Sequence, residues 1–167
     1  VRVTGPAGTL IALPSAGRFE APAPSVHAGL YLGQVYRLRV TNIANHEGEE
    51  VYPTIEVIDR TFPPPHMAHR FPIPVVMSQD DLEQALAGRF VTRVIYLEDP
   101  RNALPVAQAP GTQDSFDAQP GDDPLRVADA LGRPVAILRI GGRTPDDVSR
   151  PSMQFLFNCP AFQRLTD

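Results

Sequence analysis

Residues 35–58 constrain the fold of this chain more than any other stretch. In VYRLRVTNI (35–43), Tyr36, Leu38 and Val40 alternate with Arg37, Arg39 and Thr41. A period of two predicts a half-buried antiparallel strand, apolar residues inward and arginines on the wet face. The next residues, ANHEGEE (44–50), are polar and carry a glycine, as a hairpin loop should. VYPTIEVI (51–58) then returns as a second strand, with Val51, Ile55 and Val57 on one face. Pro53 has no N–H to give to a ladder, which predicts an edge position or a bulge.

Other strand signals follow the same logic. VRVT (1–4) and TLIAL (9–13) flank GPAG, and QFLFN (154–158) reads as the last strand. FVTRVIYL (90–97) and VAILRI (135–140) are densely apolar and suit central strands. The predicted core is Tyr36, Leu38, Val40, Ile55, Val57, Val91, Ile95, Leu97, Val135, Ile137 and Leu138.

Helix signals are few. Ser78 precedes Gln79, Asp80 and Asp81 as an N-cap with acids in the first turn, Leu82, Ala85 and Leu86 form an apolar stripe, and Gly88 ends it. In DPLRVADALG (123–132), Asp123 caps, Pro124 takes the first helical position and Gly132 terminates. Residues 14–29 and about 98–122 read as loops, the second long enough to suggest a functional or mobile segment. Two short helices among many strands predict a mainly β fold: one immunoglobulin-like β-sandwich spanning 1–167, with the helices at its ends or over one face.

Composition narrows the function classes. A chain of 167 residues can bury roughly 70% of its unfolded surface and needs neither disulfide nor metal to be stable. A net charge of −4 argues against nucleic acid as a partner, because phosphate binding needs a basic face. No segment approaches the roughly 20 apolar residues of a membrane-spanning helix. The chain opens on the strand-like VRVTGP with no signal peptide in view. All 15 basic residues are arginine, which reflects either a GC-rich genome or selection for planar, bidentate pairing. The absence of lysine excludes Schiff-base chemistry and a P-loop lysine.

Candidate chemical groups are weak. His66 and His69 lie three apart in FPPPHMAHRFPIP (62–74), but the surrounding prolines forbid the regular helix that would align them. Zinc needs four ligands, or three and water, and no spacing points to the others; Met67 would suit copper only weakly. A proline-stiffened crossover is the simpler reading, with no metal and no cofactor. Cys159 stands alone in NCP, without a glycine-rich elbow or a partner for a disulfide. The pairs Asp80–Asp81 and Asp146–Asp147 fit capping and solvation better than acid–base work. DAQPGDD (117–123) resembles a calcium loop only loosely. No catalytic residue is assigned.

Three strings in order carry a resemblance: QVYRLRVTNIANHEGEEVYPTIEVI, MAHRFPIPVVMSQDDLEQALAGRFVTRVIYLEDP and DDPLRVADALGRPVAILRIGG. Together with the opening VRVTGPAG, they resemble an uncharacterised family of exported planctomycete proteins. That family carries YRLxLTxI, YPTxEV and GxFVTxVIYLxDP motifs. The match covers 1–13, 34–100 and 122–142 and weakens from Thr144 to Asp167, so Cys159 inherits nothing. Arg39 and Arg93 stand where the family usually has lysine and Arg70 where it has asparagine; His69 matches the family's alanine-histidine pair and His66 does not. The resemblance implies export and residence at the cell envelope, and it supplies no reaction.

The expected function is therefore non-enzymatic: an extracellular or cell-surface structural protein, self-associating into a homo-oligomer, filament or other polymer, or contacting envelope components. Its arginine-rich strands would pair with acids such as Glu49, Glu50 and Glu56 of a neighbour. Its apolar segments VRVTGPAGTLIAL and SMQFLFNCPAF would add as strands to another subunit's edge. The alternative is a binding module for glycan or peptide that uses the 98–122 loop.

Overall fold

The computed structural model describes residues 1–98 and 121–165. In the first half of the chain the strands are β1 (Arg2–Thr4), β2 (Leu10–Ala12), β3 (Pro14–Ser15), β4 (Arg18–Phe19), β5 (Ser25–Leu30), β6 (Val35–Arg37), β7 (Arg39–Thr41) and β8 (Thr54–Val57). After them come β9 (Pro74–Val76), α1 (Gln79–Leu86), β10 (Val91–Glu98), α2 (Pro124–Leu131), β11 (Gly132–Ile140) and β12 (Phe162–Arg164). The fold is mainly β with two short helices, as the patterning predicts.

The hairpin forms in the expected place. Strands β6 and β7 are two halves of one run, because Tyr36↔Ile55 and Val40↔Val51 keep a single register across Leu38. The Leu38 N–H donates to the Pro53 carbonyl at 2.8 Å, and Pro53 returns nothing. Proline thus removes one rung and leaves the register intact. Its strand is not at an edge, however. Strand β8 sits between β11 and β6 in the order β10-β11-β8-β6.

The second four-stranded sheet runs β12-β5-β1-β9. Here β1 lies antiparallel to β5 through Val3↔Val26 and parallel to β9 through Val3↔Val75. Strand β2 is also internal: Ile11 pairs with Val40 of β7 and bridges to Ala23 on its other side. The apolar opening segments therefore pair within their own chain. Strand donation by VRVT and TLIAL to a neighbour is incorrect, since their edges are occupied.

One contiguous core draws Val3, Val26 and Val75 from this sheet and Tyr36, Ile55, Ile95 and Leu138 from the other. Val91 and Leu97 pack at its margin, and Ile137 is buried outside it. Helix α1 adds Leu82 and Ala85 to the core. Its N-terminus is a reciprocal capping box: Ser78 Oγ accepts the Asp81 N–H at 3.1 Å, and Asp81 Oδ2 accepts the Ser78 N–H at 3.0 Å. In α2, Asp123 accepts the Leu125 N–H at 3.0 Å ahead of Pro124.

Three further expectations change. Residues 14–29 are not a loop but hold β3, β4 and most of β5, whose SVHAGL lacks the β-branched density of a strand signal. Strand β10 ends its sheet instead of occupying the middle; its density is explained by packing of α2 and α1 against it. QFLFN forms turns, not a strand, because Phe155 and Leu156 are both buried and strand alternation would put one of them outside. The last described strand is β12 instead. Of the long 98–122 loop, residues 99–120 lie outside the described residues, as does most of the DAQPGDD stretch.

Candidate functional site

The groups singled out for chemistry are scattered. His66 sits in a left-handed turn (φ 63°) and His69 in a 3-10 turn over Ala68–Arg70, and both side chains are exposed. Among the described residues no group of three or more His, Cys, Asp or Glu side chains is close enough to hold a metal. Asp147 Oδ1 accepts the Ser149 N–H at 2.8 Å and its hydroxyl at 2.7 Å, which holds this carboxyl below its ordinary range. Asp80 accepts from Gln84 at 2.5 Å. Asp81 is no solvated acid. It is 1% exposed and accepts from Arg93 Nε and Nη2 at 3.0 and 2.7 Å.

Five of the strand arginines find their acids inside the chain. Arg39 pairs with Glu50, Arg93 with Asp81, Arg133 with Asp59, Arg139 with Glu56 and Arg164 with Glu20. Glu49 is engaged by His46 at 2.6 Å. The acids expected to serve a neighbour are thus already committed, and that register mechanism is corrected with them. Glu50 also accepts from the Tyr52 hydroxyl. Hydrogen bonding from Arg39 holds the Glu50 carboxyl low, while burial and the Glu50 charge push the Tyr52 phenol up.

Arg37 differs from these five. Alternation places it on the wet face, yet it is only 6% exposed. A second apolar cluster of Tyr52, Phe155 and Leu156, flanked by Phe19 and Cys159, covers that face of the hairpin. The C-terminal turn builds the cover: Phe157, Asn158 and Cys159 take φ of 52°, 60° and 50° in succession. Arg37 Nη1 donates to the Tyr52 carbonyl at 2.9 Å and Nε to the Phe155 carbonyl at 3.2 Å. Its guanidinium carbon lies 4.5 Å from the Phe155 ring centre and 4.9 Å from that of Phe157. Among the described residues it has no carboxylate partner. Burial, reinforced by the charge of Arg143, pulls it down to about 10, so it stays protonated at neutral pH.

On the outer side of the turn, Pro14, Ser15, Glu20, Cys159, Phe162 and Arg164 line an open cavity of about 460 Å³. Cys159 therefore belongs both to the cluster covering Arg37 and to the cavity wall. Sequence reasoning passed over this region because its key feature, an arginine buried without a carboxylate among the described residues, is created by a segment more than a hundred residues away from it. Comparison of the chain with family models, with curated proteins and with solved structures finds no match.

Proposed function

We propose that this chain is an exported structural domain of the cell surface, built as an immunoglobulin-like β-sandwich and working by self-association. The order of its strand motifs, which resembles the exported planctomycete family, supports export. A core shared by two four-stranded sheets supports the sandwich. The observation that carries association is a set of exposed aromatic and aliphatic side chains at one end of β8.

Tyr31 and Leu32 are 65% and 49% exposed, on the turn whose Gly33 N–H donates to the Val57 carbonyl at 2.9 Å. Just beyond β8, Phe62 is 71% exposed with Arg60 and Arg133 over its ring, and Thr61 Oγ1 lies 3.5 Å from the Phe71 carbonyl. Large apolar side chains gathered at one end are the kind of surface that a protein contact covers. The partner is a second copy, because a structural subunit must present the same surface repeatedly.

Analytical ultracentrifugation and electron microscopy of the purified chain test this. The expected result is a concentration-dependent large species or filament, reduced to monomer by Phe62→Ser with Phe71→Ser at unchanged melting temperature. A chain that remains monomeric at every concentration overturns it. The charge of Arg37, without a carboxylate partner among the described residues, favours a second reading, a binding module for a peptide.

A further inference from the structure

We propose that Arg37 and Arg143 form a docking site for an acidic peptide segment, whose side-chain carboxylate supplies the counter-charge that the described residues do not provide.

Arg37 and Arg143 attend one ring. Their guanidinium carbons lie 4.5 and 5.9 Å from the centre of Phe155. The arginines of β7, β10, β11 and β12 all engage carboxylates within the chain; such pairing is the commoner pattern among the strands, with the exposed Arg18 of β4 outside it. Arg37 departs from it while more deeply buried than any of them. Two of its nitrogens are fixed by carbonyls, and Nη2 makes no hydrogen bond among the described residues. Arg143 is exposed and likewise has no carboxylate partner there. Two like charges held around one ring repel, and an incoming carboxylate relieves both that repulsion and the unpaired burial. Guanidinium groups also match carboxylate geometry bidentately.

The surroundings favour a peptide over a sugar acid. Phe155 is buried beneath guanidinium groups and leaves no open face for a sugar to stack on. Met153 and Phe157, exposed on the same turn, offer apolar contact to side chains flanking the carboxylate. The chain carries net charge −4, so an acidic peptide gains nothing from the overall field and must be held locally.

The test is calorimetric titration of the whole chain at low ionic strength with N-acetyl-pentaglutamate amide. Wild type should bind one peptide per chain. Arg143→Gln, which among the described residues disturbs no hydrogen bond or ion pair, should bind about tenfold more weakly or not at all with the same melting temperature. The control Arg126→Gln on α2 should bind like wild type. No binding by wild type, or equal binding by Arg143→Gln, overturns the proposal. So does tighter binding of a pentaglucuronate, which would make the ligand a glycan.

Discussion

Replacing Arg37 with methionine keeps a long stem in the second cluster and removes only the guanidinium. Two hydrogen bonds from a charged donor disappear, to the Tyr52 and Phe155 carbonyls, at about 1.5–3 kcal/mol each. The two cation–π contacts with Phe155 and Phe157 add about 0.5–2 kcal/mol apiece. Against these stands the relief of no longer burying an unpaired charge, a gain on the order of several kcal/mol. The expected balance is a loss of about 2–4 kcal/mol, comparable to truncating a buried leucine. Because the chain has no tryptophan, urea unfolding is best followed by far-UV circular dichroism, with an unchanged m-value. Hydrogen exchange should show the loss of protection concentrated in residues 152–164. A variant as stable as wild type, or more stable, would refute the assignment of Arg37 as the tie between hairpin and C-terminal turn.

Asp81→Asn should cost about 2–3 kcal/mol in the same assay, since it weakens a buried capping box and strands Arg93; a loss under about 0.5 kcal/mol would contradict the burial of that carboxylate. Glu50 is held below its ordinary value of 4.5, chiefly by Arg39. Such a group stabilises the fold above its unfolded value and loses that contribution as pH falls through the folded one. The melting temperature should therefore drop below pH 4.5, and Glu50→Gln should flatten that part of the profile; identical profiles would show that Glu50 is not the group responsible. Removing residues 1–4 should abolish cooperative melting, because β1 occupies the middle of its sheet; a folded deletion variant with wild-type melting would sink that topology.

The hairpin was legible because alternation and turn chemistry agree over 35–58, and Tyr36, Leu38 and Val40 are all buried as their spacing requires. Both helices were legible from local caps, which act within four residues. Strand β5 was not: SVHAGL has a glycine, an alanine and a histidine, and it is a strand because β1 and β12 flank it. Nor was the burial of Arg37, since alternation tells which side of a strand a residue occupies and not whether a distant segment covers that side. QFLFN misled for a related reason. Its aromatic spacing imitates a strand, while three consecutive left-handed residues, rarely adopted outside glycine and asparagine, bend it into a turn.

The sheet β12-β5-β1-β9 also sets a timetable. The other four-stranded sheet has all its strands once Ile140 has emerged from the ribosome, but β5 acquires β12 only after Arg164 follows. Until then the backbone of β5 presents an open edge to whatever lies nearby, including another nascent chain. Closing it requires residues 28–30 to find residues 162–164 across most of the sequence, a slow search on entropic grounds. The β5 edge thus stays open until β12 pairs with it, and a chaperone that shields β5 during that interval would raise the yield of native chain without altering its final stability.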